Sequence, residues 1–256
     1  YFTPKHALRA KGTKDNENEI PVSGLAAYHV SSFDLYKGLS ASLGIRYDYE
    51  TSKVDNHTYW TPENNPLGKS KLLVQYNEKM YSNQITPRFT LKQQFTPNRM
   101  VYLTVARGYK PGGFNAAKES EADRSYAEYT WNYEIGTKLN FLENRLSLET
   151  SAFYVDWKDQ QLSVIVPTVG AVIRNIGHSD SKGFEVSLSG QPLKNLLLYA
   201  NYGYTYVRFL AANTGKKRDY TGNILPMVPR HPVSLNANYS LYQLGMLDRL
   251  MFNANL

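Results

Sequence analysis

The chain has 256 residues, 29 Lys+Arg against 22 Asp+Glu for a net charge of +7, 21 Tyr and no Cys. That length can bury a core, as one large domain or two small ones, and the missing thiols exclude disulfides, thiol catalysis and thiolate metal sites. No apolar run reaches the roughly 18 residues of a membrane helix and the opening residues do not read as a signal peptide, whereas low mean hydropathy leaves room for a β-barrel, whose strands are only half apolar.

The elements, taken in chain order, share a period of two. Weak alternation lies near 24–33. In 39–49 the apolar set is Leu39, Ala41, Leu43, Ile45, Tyr47 and Tyr49, with Ser40, Ser42, Gly44, Arg46 and Asp48 between them. Weaker strands follow near 80–95 and 99–109. Pro87 interrupts the first, predicting a bulge or a late strand start. Tyr102 and Ala106 blur the second, which leaves the direction of Arg107 open. Residues 128–141 alternate without a break: Tyr129, Trp131, Tyr133, Ile135, Thr137, Leu139 and Phe141 on one face, Glu128, Thr130, Asn132, Glu134, Gly136, Lys138 and Asn140 on the other. Residues 145–155, 183–189, 196–206, 233–241 and 249–256 repeat the pattern. About ten strands result, several of 11 to 14 residues. Soluble strands usually have about 5–6 residues, and a tilted strand crossing a bilayer needs about 9–11.

The connections alternate as well. Short turns are expected near Asp34–Gly38, Thr96–Asn98, Leu142–Asn144, Gln191–Asn195 and Gln243–Asp248, and long polar loops near 51–79, 110–127, 158–173 and 210–230. Short turns on one side and long loops on the other are the pattern of an outer-membrane barrel. Aromatics gather where strands meet the long loops (Tyr47, Tyr49, Tyr81, Tyr109, Tyr129, Trp131, Tyr133, Tyr154, Trp157, Tyr202, Tyr204, Tyr206), and Phe33, Phe95 and Phe141 mark the short-turn ends. β propensity alone predicts aromatics in strands but not at their ends. Two headgroup-level girdles do. The predicted fold is all-β, an antiparallel transmembrane β-barrel, with residues 1–256 forming part of one barrel domain.

Charges that could carry chemistry are dispersed. Arg46, Asp48, Arg88, Lys92, Glu134, Lys138, Glu149 and Glu185 share the wet face with mixed signs, which suits a cross-paired lumen wall better than acid–base catalysis. His6, His29, His57, His178 and His231 show no metal-ligand spacing, leaving at most a haem or metal ligand from a single loop His. No phosphate-binding loop or nucleophile elbow is present, and Gly112–Gly113 in KPGGFN reads as a loop turn. Nucleic acid is not expected as a partner, because the Tyr residues share faces with Leu, Ile and Ala rather than with Lys and Arg. No cofactor is expected.

Five stretches, VYLTVARGYKPGGFN (101–115), NYEIGTKLNFLENRLSLETSAFYVDWKDQQLSV (132–164), RNIGHSDSKGFEVSLSG (174–190), LYANYGYTYVRF (198–209) and VPRHPVSLNANYSL (228–241), resemble the barrel of TonB-dependent outer-membrane receptors of the siderophore type. The resemblance implies a 22-stranded barrel in the bacterial outer membrane, filled by an N-terminal plug. It implies energised uptake of a scarce, bulky nutrient: typically a ferric siderophore, otherwise haem, cobalamin or a glycan. An inner-membrane energy-coupling complex would pull on the plug. Against that pattern the chain is expected to be an internal piece of about ten strands, without plug, energy-coupling segment or C-terminal strands. The expected ligand contacts are Tyr109, Lys110, Phe114 and Asn115 at the lumen mouth, with Lys216, Lys217 and Arg218 as a second cationic patch. Aromatics and cations suit anionic ferric catecholates or carboxylates. The same cations also suit outer-membrane lipid and lipopolysaccharide phosphates.

Two other readings stay open. One is a self-contained ten-stranded barrel, an adhesin or a surface protease using Asp48, Glu50 and His57. The other is a soluble β-sandwich binding module.

Overall fold

The computed structural model describes residues 12–63, 70–115, 124–166, 170–212, 219–245 and 247–256. Strands β1 (Gly12–Glu19), β2 (Val22–Tyr36), β3 (Leu39–Pro62), β4 (Lys71–Thr96) and β5 (Arg99–Lys110) are followed by two-residue strands β6 (Gly113–Phe114) and β7 (Arg124–Ser125). Then come β8 (Glu128–Phe141), β9 (Leu146–Val166), β10 (Gly170–Leu193), β11 (Leu196–Ala212), β12 (Val233–Leu244) and β13 (Leu247–Asn255). Apart from the β6–β7 pair they form one antiparallel meander. β1 and β2 lie end to end along β3, with Glu19 opposite Asp55 and Val22 opposite Ser52, so the sheet is ten strands across. Its path is open: among the described residues no pairing joins β13 to β1 or β2.

The short turns form where expected. Lys37 and Gly38, with φ of 42° and 84°, close the β2–β3 hairpin in the left-handed conformation that matches strand twist. Leu142, Glu143 and Asn144 all have positive φ between β8 and β9.

The register aligns the alternation across strands. One outward row reads Arg99–Leu139–Leu148–Leu188–Ala200–Leu235. Four residues toward the long loops it reads Leu103–Ile135–Ala152–Phe184–Tyr204. Two further on it is Val105–Tyr133–Tyr154–Lys182–Tyr206, and two beyond that Arg107–Trp131–Asp156–Asp180–Arg208. The outer face thus passes from aliphatic to aromatic to charged within a few rungs, as a bilayer boundary requires. This places Arg107 outward. Ile135 is 53% exposed and Leu188 42%. In water such a face is costly, at about 25 cal/mol per Å² of apolar area; in a membrane it meets hydrocarbon. The inner face carries pairs such as Lys138 Nζ to Glu149 Oε2 at 3.0 Å. Gly183 gives the wall a point of close approach, since a Cβ there would lie 2.0 Å from the Tyr204 carbonyl oxygen.

A sandwich would bury a core between two sheets. Here, among the described residues, the buried apolar ones are Val54, Val172, Val207, Phe209 and Ala212, all toward the long-loop end, and no second large sheet packs on the first. The soluble-sandwich reading does not fit.

The structure corrects two expectations. Residues 51–62, 71–79, 158–166 and 170–173, expected as loop, are strand: β3 and β4 run 24 and 26 residues and β9 and β10 run 21 and 24. Beyond the bilayer both faces are wet, so the apolar alternation disappears while the backbone ladder continues. For the same reason the polar GTKDNENE segment forms β1 against upper β3. Pro87 is neither a bulge nor a strand start. It pairs with Ile45 in an unshifted stretch of the β3–β4 ladder and lies one residue beyond the last β4–β5 rung, Arg88 with Ala106. A missing N–H there removes no β4–β5 bond.

Candidate functional site

Two tall hairpins, upper β3–β4 and upper β9–β10, rise past the aromatic row, and residues 111–115 and 124–127 tuck between them. Gly112 permits the entry: a Cβ there would meet the Ser125 carbonyl oxygen at 2.3 Å. Residues 113–114 then pair back on 124–125 as β6 and β7, with the Gly113 N–H donating to Ser125 Oγ at 3.0 Å.

Amide side chains fasten this hairpin. The β10–β11 ladder ends at Gly177 with Ala212, so upper β10 has a free edge. Asn115 occupies it, its Nδ2 donating to the Ile173 carbonyl at 2.9 Å and its Oδ1 accepting from the Ile173 N–H at 2.7 Å. Asn175 does the same for Tyr126: Oδ1 accepts from its N–H at 2.6 Å and Nδ2 donates to its carbonyl at 2.8 Å. Gln161 Nε2 donates to the carbonyls of Pro111 and Tyr126 at 2.8 and 2.9 Å. Buried Glu128 accepts the Gln161 N–H at 2.6 Å. Opposite β10, Tyr76 donates to the Asn115 carbonyl at 3.5 Å, and Arg124 lies 3.9 Å from Glu78. Burial, with Glu78 beside it, pushes the Tyr76 phenol above its ordinary range.

The expected contact residues separate into groups. Lys110, Phe114 and Asn115 come together on this tucked segment. Lys110 is mostly exposed and lies 4.0 Å from Glu128, and Phe114 is half-buried opposite Arg124. Asn115 is 8% exposed and its amide is engaged with the backbone, so it positions the loop. Tyr109 stands apart, one residue out of phase with Lys110. It pairs with Tyr129 at the seam where β4 and β5 part, within electrostatic reach of Asp48 and Glu50. Lys216, Lys217 and Arg218 lie outside the described residues. Arg124 and exposed Tyr126 join the mouth without having been expected there. Their only sequence signal is their place in the 110–127 loop.

Asp48, Glu50 and His57 do not form a catalytic cluster. Asp48 is held by Arg46, whose Nε and Nη2 donate at 2.9 and 2.6 Å. His57 is nine residues along the same strand, roughly 30 Å away at about 3.4 Å per residue. The tucked segment thus groups two cations, Lys110 near Glu128 and Arg124 near Glu78, with two rings, Phe114 and Tyr126.

Comparison with known proteins agrees with this architecture. The family described as TonB dependent receptor-like, beta-barrel matches residues 7–255. The pesticin receptor of Yersinia pestis is 26% identical over 216 residues, 84% of this chain and 30% of the relative. The probable TonB-dependent siderophore receptor PiuA of Acinetobacter baumannii is 26% identical over 239 residues, 87% of this chain and 30% of the relative. The crystal structure of the ferric yersiniabactin uptake receptor FyuA from Yersinia pestis superposes with a TM-score of 0.74 at 23% identity, over 94% of this chain and 35% of that one. The chain therefore spans about a third of the length of these relatives.

Proposed function

The chain belongs to the TonB-dependent receptor β-barrel family, and on that premise we propose that it forms wall and mouth of a bacterial outer-membrane receptor for a ferric siderophore. The observation that carries this reading is the tucked segment 110–115 with 124–127, which brings Lys110, Phe114, Arg124 and Tyr126 to the mouth of a polar lumen. Such a surface suits an anionic, aromatic-bearing chelate. Relatives named as siderophore or metal-chelate receptors support the ligand class.

An open ten-stranded path leaves backbone donors and acceptors on both edges, and lipid offers them no partner. In this reading the remaining barrel strands and a plug complete the receptor, and an inner-membrane energy-coupling complex acts through the plug. In the same reading Lys216, Lys217 and Arg218, which follow β11 in the sequence, supply a second cationic patch.

The test is binding of radioactive iron as ferric catecholate and ferric carboxylate chelates by the full-length natural protein, in cells lacking other such receptors. Lys110→Ala with Phe114→Ala should weaken binding about tenfold, near 1.4 kcal/mol, and so should removal of the three loop cations. Unchanged affinity would sink the site assignment. A full-length protein that binds haem, cobalamin or a glycan but no ferric chelate would sink the ligand class.

A further inference from the structure

The upper hairpins carry apolar side chains that the wall does not use. Residues 162–173 read LSVIVPTVGAVI, and eight of the twelve are aliphatic, as in a strand that meets lipid. Ile165, however, lies eight residues past Trp157, roughly 25 Å along the strand at about 3.3 Å per residue. No hydrocarbon reaches that level, because the outer rows already turn charged at Asp156 and Asp180. Yet Ile165 is 79% exposed, and Ile173 on β10 is also open.

The register gives these two a common direction. Above the shifts at Gly177, Gln161 pairs with Asn175, Ser163 lies opposite Ile173, and Ile165 lies opposite Ala171. Alternate residues share a face, so Ile173 and Ile165 stand on the face through which Gln161 and Asn175 hold Tyr126. As diagonal neighbours they are about 7–8 Å apart. Strand β4 approaches the same segment with a matching residue. Tyr76 reaches the Asn115 carbonyl and Glu78 reaches Arg124, and Val74, next on that face and opposite Thr58, is exposed. Asn115 joins the two lips at their base, touching Tyr76 on one side and the backbone of Ile173 on the other.

Single exposed apolar residues are common, but three that converge on one segment mark a surface that binds. They fall far short of the roughly 800 Å² that each partner gives to a stable protein interface. They suit one flexible chain. Because they continue from a mouth of cations and rings, their occupant has a charged head and an apolar tail.

We propose that Val74, Ile165 and Ile173 take the acyl tail of an amphiphilic ferric chelate whose head sits at the tucked segment. The inference deepens the receptor reading and rests on it for the head.

The experiment uses the full-length protein in cells lacking other such receptors. The probes are two synthetic bis-catechol chelators loaded with radioactive iron, differing only in an acetyl or an octanoyl group on the same amine. Each fully buried methylene multiplies affinity about fourfold, so even an open lip should make wild type prefer the octanoyl form at least about tenfold. Val74→Ser with Ile165→Ser should bring that ratio below about threefold. Where this variant loses its heat-modifiable folded band, Ile165→Lys alone carries the test, with a drop in the ratio of about threefold. Partition of the tail into the membrane favours the octanoyl form equally in every variant, so equal ratios overturn the proposal. A wild type that binds both forms alike also overturns it, as expected of a lip that serves a protein partner, and leaves the receptor reading standing. Binding of neither form overturns the proposal and the receptor reading together.

Discussion

Lower and upper halves of the same strands obey different rules. In β9 the stretch Leu146–Tyr154 sets Leu146, Leu148, Ala152 and Tyr154 on one face and Ser147, Glu149 and Ser151 on the other, and the stretch 156–166 mixes Asp156, Lys158, Gln160 and Gln161 with Ile165 and Val166. The antiparallel ladder with β10 runs through both, with shifts only around Gly177. Below, the outer side chains answer to lipid. Above, the tucked segment is held by side-chain amides on backbone groups, as Asn115 on Ile173 and Asn175 on Tyr126. Backbone pairing sets the length of a strand, and the surrounding medium sets which residues it shows.

The largest effects expected are in the wall, from Gly183→Val and Ile135→Lys. Gly183→Val puts a side chain where the Tyr204 carbonyl already stands and should cost about 3 kcal/mol, enough for the folded, heat-resistant band of the full-length protein to fade on a gel. The sharpest comparison uses two exposed isoleucines. Ile135→Lys, on the lipid row, should destabilise by about 2–4 kcal/mol. Ile165→Lys, on the upper hairpin, should stay within about 0.5 kcal/mol. Similar denaturation midpoints for the two would break the division into halves. Asn175→Ala should free the mouth segment at about 1–2 kcal/mol, seen as faster hydrogen exchange or protease nicking at 111–127 with the barrel's own transition unmoved.

Smaller still is Lys138→Ala on the lumen wall. Its pair with Glu149 is half exposed on both sides, so the loss should be under about 1 kcal/mol. The least effect is a pH effect in the loop after β11. Thr221 donates side-chain and backbone hydrogen bonds to Asp219 and holds its carboxyl below the ordinary 3.8. A depressed carboxyl stabilises the turn above the unfolded value, and that contribution is lost as pH falls through the folded one. Exchange at Thr221 and Gly222 should therefore quicken only below about pH 4.

The membrane half of the fold was legible because lipid writes a period of two into every strand that touches it. The family resemblance came from the same strands and their junctions. The upper hairpins and β1 were illegible for the converse reason: Thr58 donates to Asn16 and Asn56 to Asn18 in a ladder whose residue types read as loop. In the mouth, Lys110, Phe114 and Asn115 could be picked from KPGGFN. Their fastenings could not, because Asn115 meets Ile173 across 58 residues and Gln161 meets Pro111 across 50. Arg107 needed the register to find its face, since neighbours within its own strand gave contradictory cues.

The clasp that holds the mouth segment is largely made of neutral amides. Its grip should vary little with ionic strength, whereas the pull that Lys110 and Arg124 would exert on an anion under the proposed function weakens as salt shortens the Debye length from about 30 Å at 0.01 M to about 8 Å at 0.15 M. A mouth so built keeps one shape from fresh water to brine while its electrostatic reach changes.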